Sequence, residues 1–105
     1  SKDHDSCIAA AKRVTLDMID CMTAETARWD KRLNAGYKRL LAALDPGRQK
    51  ALTAAEQAWI KFRDTNCDFV FDPNGGTAAR MAANSCVLRM TAERALEIES
   101  YQPPS

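Results

Sequence analysis

Apolar residues recur at three- and four-residue steps along three stretches of the chain, and two clusters of turn-forming residues separate them. In the first stretch Leu16, Ile19, Met22, Trp29, Leu33, Tyr37, Leu40 and Leu44 fall on one helical stripe. The spacing predicts a helix over 16–44, about 40 Å long. Thr15 is its candidate N-cap, with Asp17 and Asp20 near the positive end of the helix dipole. Gly36 is its weak point, at a cost of about 1 kcal/mol relative to Ala. Asp45-Pro46-Gly47 then breaks the pattern: Asp45 can cap, and Pro46 suits a first helical position. A second helix is expected over 46–69, with Leu52, Ala55, Trp59, Phe62 and Phe69 as its stripe. Asn66 interrupts that stripe and needs a partner if buried.

Asp72-Pro73-Asn74-Gly75-Gly76 is the strongest turn signal in the chain. A third helix follows over 77–99, with Ala79, Ala83, Val87, Met90, Arg94 and Ile98 near one face. Its small alanines allow a neighbouring helix to approach closely, and Pro103 and Pro104 end the chain. The breaks are short, so consecutive helices should be antiparallel neighbours. The expected fold is all-α: one domain over 1–105, a three-helix up-down-up bundle preceded by an N-terminal arm over 1–14.

The 105 residues carry 15 Lys plus Arg against 14 Asp plus Glu, a net charge of +1. That balance provides no broad field for steering nucleic acid or an anionic membrane, so no nucleic-acid partner is expected. No apolar run reaches the roughly 20 residues of a membrane span, so no transmembrane segment is expected.

Cysteine usage changes the picture more. Cys7, Cys21, Cys67 and Cys86 are an even set in a short chain, without a CxxC pair. Structural zinc would want clustered thiolates or histidines, and the one histidine is His4, in an arm expected to fray. Buried free thiols in a reducing compartment are the bland reading. Two disulfides in an oxidising one fit a small domain better. Residues 1–5 are polar and charged, with no signal peptide visible; the cysteines lead to the expectation of a mature or trimmed product whose export segment has been removed.

Four cysteines allow three pairings. Cys67 and Cys86 flank the second turn on neighbouring antiparallel helices. They are offset by roughly 9 Å if both helices reach that turn, too far to bridge without an adjustment there. Cys7 and Cys21 can pair only if the chain reverses between them, and a helix start near Thr15 provides the place. Cys7–Cys21 with Cys67–Cys86 is the expected set, and a Cys21–Cys67 link would overturn that topology.

The ordered motifs resemble the LprI-like lysozyme-inhibitor domains of bacterial envelope proteins from Cys7 to about Arg94. The opening pattern is Cys7, Thr15-x-x-Met18-x-x-Cys21, Glu25, Asp30, Leu33-Asn34 and Tyr37-x-x-Leu40. The most specific stretch runs from Ala55-Glu56-Gln57-Ala58-Trp59 through Phe62-Arg63-Asp64 to Cys67, close to a Q-x-W-x-x-F-R-D-x-x-C block. Gly75-Gly76, Cys86 and Thr91-x-x-Arg94 follow in order. Trp29 departs from the pattern, where a small residue is expected. The resemblance implies a secreted, periplasmic or lipid-tethered helical domain, associated in some members with inhibition of lysozyme.

Trp59 and Arg63 stack on one helical face, a spacing that suits an aromatic-plus-Arg hot spot. The structural reading is favoured: Trp59 and Phe62 belong to the core, and Arg63 stacks on Trp59 or pairs with a carboxylate such as Glu93 or Glu97. Arg63-Asp64 then reads as a structural ion pair. Catalytic parts are lacking, with no G-x-S-x-G, HExxH or phosphate-cradling glycine loop. The helical carboxylates read as a solvated face. Asp72-x-Asn74-Gly75 resembles the start of a calcium loop, but the closing Glu is missing. No cofactor, metal or enzymatic activity is expected.

The first functional reading is a binding protein that covers the cleft of a lysozyme-type muramidase. Such a cleft holds one protonated and one ionised carboxylate, which a cation on a rigid projection suits. Arg48, after Asp45-Pro46-Gly47, and Arg80, after Gly75-Gly76, are the candidates. Lysozymes are often basic, and a +1 chain has no long-range attraction for them. The second reading is a non-enzymatic envelope module for assembly, folding or immunity, which an exposed apolar patch at Tyr37, Trp29 or Phe71 would favour.

Overall fold

The computed structural model describes residues 1–12 and 14–102. Four helices account for nearly all of them: α1 (Lys2–Ala11), α2 (Thr15–Ala42), α3 (Pro46–Val70) and α4 (Gly76–Ser100). No strand occurs among the described residues. The expected count of three is therefore corrected, because much of the arm is itself helical and carries His4 in its first turn. Ser1 caps α1 by accepting from the His4 N–H at 3.1 Å, and Asp3 and Asp5 complement the dipole of the first turn. Lys12, left-handed at φ 48°, ends it.

The other three helices lie where the periodicity places them, within one or two residues. Asp45 caps α3, its Oδ1 accepting from the Arg48 N–H at 2.9 Å, and Pro46 takes the first helical position. Thr15 does not cap α2; Val14 does, without a side-chain acceptor. Pro103 and Pro104 lie outside the described residues.

The up-down-up path holds for α2, α3 and α4, but the packing departs from it. The central element is α4, with α2 along one side, parallel to it, and α3 along the other, antiparallel. Helices α2 and α3, consecutive in sequence, approach each other mainly near their shared turn, where Gln49 Nε2 donates to the Leu41 carbonyl at 2.9 Å. The small side chains on α4 explain this: Ala79 and Ala95 are buried and Ala83 half-buried, so both neighbours close on α4 rather than on each other. The short α1 doubles back on α2. The result is a flat layer with Cα extents of 48 × 30 × 14 Å.

Two core clusters hold the layer together. Leu33 and Leu40 of α2 meet Ala95 and Ile98 of α4, with Trp29, Tyr37, Leu44, Leu52 and Trp59 packed around them. Cys67, Cys86 and Met90 form the other, with Trp59, Val70 and Val87. Trp59 bridges both. Trp29 thus enlarges the core and stacks under the Arg32 guanidinium, 4.8 Å from its ring centre.

The expected α3 stripe splits in two. Leu52 and Trp59 pack inward, whereas Ala55, Phe62 (60% exposed) and Phe69 (84% exposed) face solvent. Phe62 is therefore not a core residue. One residue of displacement turns a side chain by about 100° on a helix, and the inward line is Leu52, Glu56, Trp59, Arg63, Cys67 and Val70. Leu16, placed on the α2 stripe, is likewise exposed, because it lies at that helix's open start.

Candidate partner-binding surfaces

Two disulfides brace the layer: Cys7 to Cys21, across the α1–α2 reversal, and Cys67 to Cys86. The second overcomes the axial offset because α3 stops at Val70 and Phe71 is extended (φ −76°, ψ 99°). At about 1.5 Å per residue, Cys67 lies about 4.5 Å before the end of α3 and Cys86 about 15 Å into α4, so for the two to meet the connection must carry the start of α4 about 10 Å beyond the end of α3.

The turn is then built locally. Asn74 N–H donates to Asp72 Oδ1, and Gly75 N–H to the Asp72 carbonyl, both at 2.9 Å. A Cβ on Gly75 would sit 2.8 Å from the Ala79 Cβ, and Gly76 has φ 64°. Gly75 is therefore required by the close approach of the Ala79 side chain, and Gly76 by its left-handed backbone. Arg80 follows one turn into α4, exposed, with Asn84 Nδ2 donating to its carbonyl at 2.8 Å.

Arg48 lies at the other end of the molecule, exposed on the rim of an apolar pocket of about 420 Å³. Leu40, Leu44, Ala51, Leu52 and Tyr101 line the rest of it. Along α3 from Arg48 to Val70 is about 33 Å, so Arg48 and Arg80 do not form one site. Each belongs to its own end.

Between the ends, Arg63 lies in the groove separating α2 from α3. Its guanidinium stacks on Trp59, 5.0 Å from the ring centre, Nε donates to Asp64 at 2.9 Å, and Nη1 reaches the buried Thr91 Oγ1 at 3.4 Å. Glu93 and Glu97 do not pair with it; they pair with Arg89 and Arg94. Asn66, half-buried, directs Nδ2 at Met90 Sδ, 3.5 Å away.

Not all of the carboxylates form a solvated face. Glu25 is 3% exposed and Glu56 8%. The Ser1 amino group and hydroxyl donate to Glu25 at 2.8 and 2.9 Å, and Arg28 Nε at 2.7 Å. Burial pushes the Glu25 carboxyl up, but these hydrogen bonds outweigh it and hold the group at about 2. Glu56 accepts from Arg94 Nε at 2.8 Å, and Arg94 also pairs with Glu97. Their burial contradicts the solvated face expected for the helical carboxylates. Among the described residues no three His, Cys, Asp or Glu side chains are grouped to hold a metal ion, and no helix is long and apolar enough to cross a membrane.

A disulfide-tied helical layer with its loops at two remote ends defines the class of this domain. The family model described as lysozyme inhibitor LprI matches residues 7–98, and the chain belongs to that family. An uncharacterized protein of Rhizobium meliloti (strain 1021) is 26% identical over 98 residues, covering 80% of this chain and 70% of its own. No solved structure matches the chain.

Proposed function

We propose that this protein binds a lysozyme-type muramidase and blocks its cleft, without catalysis of its own. The observation that carries this reading is the match of the lysozyme inhibitor LprI family over residues 7–98. Two disulfides favour an oxidising compartment, periplasmic or extracellular. The inhibitory surface is the Gly75–Gly76 end. Its connection projects beyond α3, Cys67–Cys86 braces its base, and Arg80 offers several donors to a carboxylate pair. Arg48, at the opposite end on a shorter connection, is the second candidate.

The test is muramidase-driven clearing of a cell-wall suspension. The protein should slow it at stoichiometric excess, Arg80→Glu should weaken the effect at least tenfold, and Arg48→Glu should leave it intact. The reverse pattern moves the surface to the Arg48 end. Failure against several muramidase classes refutes the inhibitor reading in favour of a non-enzymatic interaction module. One observation leans toward that alternative: Phe71 is 41% exposed, although Trp29 and Tyr37 are half-buried.

A further inference from the structure

Beside its inward line, α3 carries a second stripe. Ala51, Ala55, Ala58, Phe62, Thr65 and Phe69 recur in alternating steps of four and three residues, the spacing of a coiled-coil seam. All six are exposed. Five of the six are one residue before a position of the inward line and Thr65 precedes the half-buried Asn66, so the stripe is turned about 100° from the α4 contact. It faces out of a layer only 14 Å thick between Cα atoms, whereas domains ordinarily bury such faces against a second layer.

The geometry points to a second copy of this chain as the occupant, with α3 packed antiparallel on α3 about a two-fold axis. The order of side chains along the stripe carries the inference. With the axis level with Ile60, Phe62 comes opposite Ala58 of the second copy, Thr65 opposite Ala55, and Phe69 opposite Ala51. Every larger side chain meets an alanine, and symmetry repeats each match, which is the self-complementarity an isologous contact demands. A parallel pairing would set Phe on Phe and Ala on Ala.

Charge follows the same register. Lys50 and Asp68 lie on one flank of the stripe, neither in an ion pair among the described residues. Antiparallel pairing brings Lys50 to within about 3 Å, along the axis, of Asp68 of the second copy, twice per dimer. Lys61 approaches its own counterpart near the axis, a like-charge contact that its long stem relieves by reaching to solvent.

Area sets the strength. At about 200 Å² per Phe side chain, the exposed parts of Phe62 and Phe69 amount to roughly 300 Å² per copy. A standard interface buries about 800 Å² per partner. With the alanines and flanking residues added, the contact belongs to weak, concentration-dependent dimers.

Sedimentation equilibrium of the full chain across a concentration series tests this. The mass should rise from 11.6 kDa toward twice that value. Phe69→Lys should stay monomeric where the parent is dimeric, with unchanged helicity and melting, since Phe69 is 84% exposed. Lys50→Glu should weaken the dimer about tenfold, and adding Asp68→Lys should restore it. A dimer indifferent to Phe69→Lys, or not restored by the double exchange, overturns the register. A chain monomeric at every concentration overturns the pairing, and if its muramidase binding is then lost in Phe69→Lys, the stripe belongs to that partner.

Discussion

Arg94→Met tests how the layer tolerates charge between α3 and α4. Glu56 is 8% exposed, and among the described residues its one ionic partner is Arg94, itself 10% exposed at the side chain, with Nε–Oε1 at 2.8 Å. Methionine keeps most of the apolar stem beside Trp59, whose ring lies 5.9 Å from the Arg94 guanidinium, and removes the charge. The second partner of Arg94, Glu97, is half exposed and loses little. Glu56 is then left buried without its cationic partner, a condition that costs about 3–5 kcal/mol. For a domain of this size with total stability of about 5–15 kcal/mol, melting should fall by on the order of 15–20 °C. The double variant Glu56→Leu with Arg94→Met removes both charges of the pair and should recover parent stability or exceed it. Circular dichroism melts and urea titrations of the four proteins of the cycle give the answer. If Arg94→Met costs under about 1 kcal/mol, or if the double variant is no more stable than the single one, the pair is not what holds α3 to α4.

Three other outcomes follow from the same geometry. Trp59→Ala should cost about 3–5 kcal/mol in urea titration, because Trp59 joins both core clusters; an unchanged midpoint would make it a surface residue. Gly36→Ala should raise stability by up to about 1 kcal/mol in a thermal melt, since an added Cβ would meet Ile98 Cγ2 at 3.5 Å and Glu99 Cγ at 3.6 Å, ordinary contact distances; a lower melting temperature would mean that α2 and α4 cannot admit it. Glu25, held at about 2 against an ordinary 4.5, should contribute stability that is complete above about pH 4.5 and lost as pH falls toward 2. Glu25→Gln should flatten that part of the pH–stability curve, and an unaltered slope would assign it to other groups.

The long helices were legible because their signals are local and repeated: Asp45-Pro46 at the start of α3, the Asp72–Gly76 turn, and apolar steps on α2 and α4. Helix α1 went unread although its signals were present, Ser1 as cap and Asp3 and Asp5 in the first turn. It lacks an apolar stripe, and what fastens it is the Cys7–Cys21 bond and the reach of Ser1 to Glu25, both non-local. On α3 the apolar residues form two stripes one residue apart, and periodicity cannot say which of two adjacent lines meets a neighbour. Glu25 and Glu56 read as surface because part of what meets each of them once buried, the Ser1 hydroxyl and the Arg94 guanidinium, comes from 24 and 38 positions away. Arg48 and Arg80 were each legible as turn-end cations. Their separation to opposite ends depends on the length of α3, and it turns one candidate surface into two.

The proposed role rests on a cleft being occupied, and the kinetic pattern of inhibition tests that most directly. Muramidase activity should be measured over a range of soluble glycan substrate at several fixed concentrations of this protein. Occlusion of the cleft should raise the apparent KM in proportion to the protein added while kcat stays constant, and excess substrate should relieve the block. A fall in kcat at unchanged KM would place the contact outside the cleft, and no effect at stoichiometric excess over several muramidase classes would contradict the account altogether.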